Sequence, residues 1–114
     1  MKRGLIVDEP LLATMRVPGY CEWCMKWCHV REVHHVFGRG GNSWKRIDLP
    51  MFLMSLGSTL GFQCKCHSRM TNSFTGHGIN DQLKFLADRD GTTPEWIKGE
   101  HDRLLRELGK GGRL

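Results

Sequence analysis

Cys21-Glu22-Trp23-Cys24, Glu32-Val33-His34-His35-Val36 and Cys64-Lys65-Cys66-His67 follow one another along the chain. A C-x-x-C turn lets two thiolates reach one ion at about 2.3 Å from each sulfur, which fills half of a tetrahedral shell. Cys64 and Cys66 are placed to supply the other half. In a small domain such a site ties two distant loops together, and its binding energy becomes folding energy. A structural zinc site on Cys21, Cys24, Cys64 and Cys66 is therefore expected. The second pair is C-x-C, one residue tighter than usual. Cys28 stands outside both pairs, and either packs as a small apolar residue or takes the place of Cys64.

The sequence between and around these pieces gives the elements. Residues 1 to 19 hold Pro10 and Pro18 around Leu11 to Val17 and read as an arm or a short edge strand. Val30 to Phe37 is rich in β-branched residues and reads as a strand. Gly38-Arg39-Gly40-Gly41-Asn42-Ser43 is a loop by composition. Pro50 to Leu56 reads as a short helix with Asp48 near its start, Leu60 to Gln63 as a second strand, and Cys64 to about Asn72 as a turn and a helix. Asn80 to Asp90 is a helix with Asn80 as N-cap and Gly91 as its stop. The last helix has Thr93 as N-cap, Pro94 in the first turn and Gly109 as its end. Trp96, Ile97, His101, Leu104, Leu105 and Leu108 share one side of it, a stripe suited to core packing.

These elements divide the chain into an N-terminal arm (1–19), a zinc-stapled core (20–79), C-terminal helices packed on that core (80–109) and a flexible tail (110–114). The chain has one modest core's worth of residues at 114, and its 14 glycines predict long loops that gain from a metal staple. Seventeen Lys and Arg against 12 Asp and Glu give +5, which suits a polyanion partner because each neutralised phosphate releases counterions. The start, Met1 to Asp8, carries only a three-residue apolar stretch before an acid and does not resemble a signal peptide. No run approaches the roughly 20 apolar residues of a membrane span. The expected compartment is the cytoplasm, where thiols stay reduced and five cysteines point to metal rather than disulfides.

Adjacent histidines on a strand face opposite ways, but at a strand's end, before a glycine loop, both can turn toward one site. Phosphodiester hydrolysis needs a water deprotonated near neutral pH, which suits His with its ordinary pKa of about 6.5. It also needs a cation to stabilise charge on the phosphate and the leaving oxygen. His67 follows Cys66 directly, so a zinc-bound turn would hold it rigidly.

The ordered set of C-x-x-C, E-V-H-H-V, a G-R-G-G loop and a cysteine pair followed by His resembles the HNH, or ββα-metal, endonucleases over about residues 20 to 75. The resemblance implies an α+β fold: a small ββα-metal core stapled by a four-cysteine zinc site, with two C-terminal helices. It implies that His35 activates water, that His34 and His67 hold a divalent metal (Mg²⁺ or Mn²⁺), and that cleavage leaves a 5′-phosphate and a 3′-hydroxyl. DNA is the implied partner, with Arg39, Lys45 and Arg46 beside the glycine loop as phosphate contacts; Arg69 and His77 are weaker candidates. The small size fits a phage enzyme of DNA processing or recombination, working in the host bacterial cytoplasm with other phage DNA-processing proteins. The C-terminal helices would pack beside the site or make a homodimer.

The chain also departs from the family pattern. The usual middle Asn has no counterpart in Leu49-Pro50-Met51-Phe52-Leu53-Met54, and Asn42 lies too early to be equated with it. The alternative is a non-catalytic zinc-binding DNA-binding accessory protein with a degenerate fold of this kind. His29 and His101 read as structural or surface residues, and Trp23 and Trp27 as packing over the zinc site.

Overall fold

The computed structural model describes residues 6–37, 47–58, 63–71 and 78–112. The architecture is α+β, with two antiparallel strand pairs and four α-helices among these residues. The reading of residues 1 to 19 as an arm or edge strand gives way to a helix, α1 (Glu9–Arg16). Asp8 caps it by accepting the Leu11 N–H at 3.0 Å, Pro10 sits in the first turn where its missing N–H costs nothing, and Glu9 lies at the positive end of the helix dipole. Pro18 holds Val17 in an extended conformation and ends the helix. Ile6, just before it, makes one parallel bridge to Ile47.

A two-residue pair, β1 (Gly19–Tyr20) and β2 (Trp27–Cys28), closes the first cysteine turn in antiparallel register. The main pair is β3 (Arg31–His35) and β4 (Leu53–Gly57), with Arg31 opposite Gly57 and His35 opposite Leu53. The second strand therefore lies earlier than the Leu60–Gln63 predicted from sequence, of which residues 60–62 fall outside the described residues. The helix predicted over Pro50 to Leu56 is confined to a single 3-10 turn, Pro50–Phe52. Beyond that turn, Leu53 to Leu56 pair with β3 and are buried on both faces, so their apolar run is that of a covered strand.

Alternation along this pair sorts the side chains. Glu32, His34, Met54 and Leu56 share one face, against which lie α2 (Cys66–Thr71) and α3 (Ile79–Asp90). Arg31, Val33, His35, Leu53 and Ser55 share the other, where α1 packs: the Ser55 hydroxyl donates to the Met15 carbonyl, and Arg31 donates to Val17 O at 2.7 Å. The core fills the first face with Met54, Leu56, Met70, Leu83, Leu86, Ala87 and Ile97. Helix α3 starts at Ile79 with Gly78, not Asn80, as its cap, and Gly91 closes it, its left-handed backbone (φ 70°, ψ 38°) turning its N–H back to Ala87 O. Arg89 bridges from α3 to the Leu53 and Pro50 carbonyls at 2.8 and 2.9 Å and to Glu22 in the first cysteine turn at 3.2 Å.

The last helix, α4 (Pro94–Gly112), is capped by Thr93 Oγ1 accepting the Trp96 N–H at 3.1 Å. It runs through Gly109 into the segment predicted as a flexible tail. Its buried side is narrower than the sequence stripe. Ile97 and His101 are buried and Leu104 and Leu105 half-buried, whereas Trp96 is 48% exposed. His101 stacks on Phe37 with ring centres 4.0 Å apart. No helix among the described residues is long and apolar enough to cross a membrane.

Two substitutions test this packing. Leu86→Ala, at a side chain wholly excluded from solvent, should destabilise the fold by about 2–5 kcal/mol in urea melts. Gly91→Ala should cost about 1 kcal/mol, because only the left-handed φ is strained and a Cβ there would meet open space.

Candidate metal and histidine site

Two turns carry the cysteines. In the first, Cys21 N donates to Lys26 O at 2.9 Å and Met25 N to Cys21 O at 2.8 Å, and Met25 takes a left-handed φ of 64° to close the bend. In the second, Lys65 between Cys64 and Cys66 takes φ 65°. A non-glycine residue in this region is uncommon. Here it lets a C-x-C spacing do what C-x-x-C does elsewhere, turning both sulfurs to one point before α2 begins. The ligand atoms of Cys21, Cys24, Cys64 and Cys66 all lie within 4.8 Å of one another, so these four can hold one metal ion. A tetrahedral zinc with Zn–S bonds of about 2.3 Å spaces its sulfurs about 3.8 Å apart, which is within reach of this arrangement.

Cys28 is buried beside the four. Its Sγ lies 3.9 Å from Cys64 Sγ and 3.5 Å from Lys26 O, and it is outside the converging group. Burial works against ionisation of Cys64, but the Cys66 backbone and the thiols of Cys66, Cys24 and Cys21 hydrogen-bond to it and hold its pKa down to about 6. Burial, then donation to Cys64, pushes Cys66 up, and burial raises Cys24 and Cys28. Hydrogen bonds within the cluster thus favour the thiolate at Cys64, the form that ligates a cation. Gly57 makes room for it: a Cβ there would stand 2.4 Å from Cys64 Sγ and 2.9 Å from Cys28 Sγ.

The second constellation lies on the α2–α3 side of the main strand pair. His34 from β3 and His67 from the first turn of α2 face each other with ring centres 5.3 Å apart at 66°. Each has a ring nitrogen held by a hydrogen bond. His67 Nδ1 lies 2.7 Å from Glu32 Oε1, and Glu32 Oε2 accepts the Ser58 hydroxyl at 2.9 Å. A carboxylate only accepts, so Nδ1 is the donor and Nε2 of a neutral His67 carries the lone pair. His34 Nε2 lies 2.7 Å from Gln82 Oε1, while Gln82 Nε2 donates to Met70 O at 3.2 Å. The Met70 carbonyl fixes which way the amide points, so His34 Nε2 donates and Nδ1 carries the lone pair. Burial is the main cause that lowers the His34 pKa to about 4, with the charges of His67 and His35 adding to it against the Gln82 bond. His34 is therefore a neutral imidazole at pH 7, the form that binds metals.

His35 has a separate partner, Asp48, whose Oδ1 lies 2.8 Å from its Nε2. The structure thus brings Cys21, Cys24, Cys64 and Cys66 together, and His34 with His67, and gives His35 to the opposite strand face. Arg39, Lys45, Arg46 and His77 lie outside the described residues, and so does the whole glycine loop, residues 38–43. Trp23 packs against Phe85 of α3, while Trp27 is 53% exposed and meets Tyr20 edge-on at 5.2 Å.

Sequence reasoning missed three partners. Glu32 was legible in principle, since a residue two before His34 on a strand shares its face. Asp48, a lone acid between Ile47 and Leu49, carries the pattern of a buried carboxylate. Gln82 is 48 residues from His34 and gives no local signal. Comparison of the chain with family models, curated proteins and solved structures finds no match.

Gly57→Ala should displace Cys64 and weaken metal retention, read as faster loss of metal to a competing chelator than in the wild type. For His34 the folded pKa lies below the unfolded value of 6.5. Its contribution to stability is complete above that pH and is lost as pH falls toward about 4. NMR titration of the protein with zinc at the cysteines and no other metal added should therefore show the His34 ring still neutral at about pH 5; an ordinary midpoint near 6.5 would contradict the burial argument.

Proposed function

We propose that the chain is a metal-dependent DNA endonuclease of the HNH type. The observation that carries this reading is the facing pair His34 and His67, each held by a separate acceptor in the tautomer that points a lone pair outward from its pin. The order of β3, β4 and α2, with a four-cysteine cluster at the start of α2, supports it. So does the net charge of +5, which favours a polyanionic substrate.

In this reading the four cysteines hold a structural Zn²⁺ that takes no part in the reaction. His34 through Nδ1 and His67 through Nε2 are the residues that would hold a divalent ion. When bound, that ion supplies charge stabilisation at the scissile phosphate and the leaving oxygen. Two neutral imidazoles suit Mn²⁺ or a later transition ion better than Mg²⁺, which prefers carboxylate and water oxygens. His35, at the end of β3, takes a proton from the attacking water. Arg39, Lys45 and Arg46 contribute positive charge for the DNA backbone.

A non-catalytic zinc-stapled DNA-binding module is the second reading. It is favoured by the strand alternation that pairs His35 with Asp48 on the face away from His34 and His67.

A plasmid and branched-DNA cleavage assay with Mg²⁺, Mn²⁺ or Ni²⁺ separates the two. The wild type should nick DNA, more strongly with Mn²⁺ or Ni²⁺ than with Mg²⁺. His35→Ala should keep DNA binding and lose cleavage by about 10²-fold or more. A wild type that cuts no DNA form with any of these ions removes the nuclease reading. Metal analysis of the enzyme should find one zinc that resists a chelator wash and one exchangeable ion.

A further inference from the structure

We propose that Asp48 is the positioning residue of His35, and that the segment before α1 holds Asp48 in place; this rests on the nuclease reading above. The Asp48 side chain is wholly buried and its two oxygens have different duties. Oδ1 faces His35 Nε2 at 2.8 Å, and Oδ2 accepts the Asp8 N–H at 2.9 Å. The Asp48 N–H donates to Ile6 O at 2.8 Å. The carboxylate is thus gripped from Ile6 and Asp8 and cannot rotate without breaking a backbone hydrogen bond. Asp8 in turn caps α1 through Leu11. The start of α1 and the orientation of His35 therefore depend on one short stretch of chain.

A buried carboxylate is costly unless it is paired. The Asp8 N–H alone would be satisfied by a neutral Asn at far lower cost. A charge at position 48 strengthens the hydrogen bond from His35. Because a carboxylate only accepts, His35 must donate through Nε2, and in the neutral ring Nδ1 then carries the lone pair. In the reaction the proton of the attacking water moves to Nδ1 and the water oxygen bonds to phosphorus. The bond from phosphorus to the leaving 3′-oxygen breaks, and that oxygen takes a proton from solvent. Asp48 does not touch the reacting atoms. It selects the tautomer and stabilises the imidazolium that forms, as the aspartate does in the Ser-His-Asp triad.

The test is Asp48→Asn in the zinc-loaded protein. The single oxygen of the introduced amide is claimed by the Asp8 N–H, so its NH₂ faces His35 Nε2, which must then accept. Nitrogen-15 NMR of the imidazole, followed upward in pH until its shifts stop changing, should show the Nε2–H tautomer in the wild type and the Nδ1–H tautomer in the variant. In the cleavage assay kcat should fall by about 10²-fold, with KM little changed and the bound zinc retained. A wild type in the Nδ1–H form overturns the proposal, and needs no variant to fold. So does a variant whose His35 keeps the Nε2–H form while kcat falls, since Asp48 would then be merely structural. Because the tautomer is read without DNA, a wild type with the expected spectrum but no cleavage would count against the nuclease reading and not against the Asp48–His35 geometry.

Discussion

Four sulfurs drawn from two turns about forty residues apart hold the architecture in register. Cys21 and Cys24 close the β1–β2 turn, and Cys64 and Cys66 open α2. Once these meet, the start of α2 is fixed relative to β3, and so is His67, which follows Cys66 without an intervening residue. A core drawn from 114 residues with long glycine-bearing stretches has little apolar surface to spare. A metal ion at the cysteines would supply what packing alone does not, and it would do so by ordering the chain beside the histidines. Two non-glycine residues in left-handed backbone, Met25 and Lys65, mark where the chain accepts strain to let the sulfurs converge.

The β3–β4 pair then distributes chemistry by parity. Even-numbered Glu32 and His34 meet His67, Gln82 and the core; odd-numbered His35 meets Asp48 on the face that α1 covers. Each histidine donates one N–H to an acceptor that is itself hydrogen-bonded elsewhere: Gln82 by Met70, Glu32 by Ser58, Asp48 by Asp8. Such outer partners fix tautomer and ring angle, and they commonly matter nearly as much as the ligands they orient. Here Gln82 comes from α3, Glu32 from β3 itself and Asp48 from the stretch before the 3-10 turn, so three separate parts of the fold set the histidine tautomers.

Several elements misread from sequence fail for one reason: local pattern does not carry information about what lies on the other side. Pro50 to Leu56 looks helical because its apolar run lacks alternation. Burial on both faces removes the polar half of the strand pattern, and only the pairing with β3 reveals it. The segment before Gly19 looks like an arm because its two prolines read as breakers. Pro10 instead lies in a first turn that Asp8 caps, and Pro18 marks the stop. Trp96 belongs to the helical stripe by spacing, yet it stays exposed because no neighbouring element reaches that side of α4 among the described residues.

The order of amino acids is enough to read off the candidate ligands: two cysteine pairs, an HH pair between them, and a histidine locked to the last cysteine. Those choices are local, because a C-x-x-C turn or a Cys-His step places its atoms through a few backbone angles. The cap of α4 and the glycine stop of α3 are legible in the same way, since they rest on φ preferences and on hydrogen bonds between near neighbours. Folding alone decides that Cys28 stands aside, that His34 faces His67, and that Gln82 and Asp48 set the histidine tautomers. Those relations join residues far apart in the chain, as many as 48 positions for His34 and Gln82. They exist only once chain entropy has been overcome by burial of the shared core, and no spacing in the sequence records them.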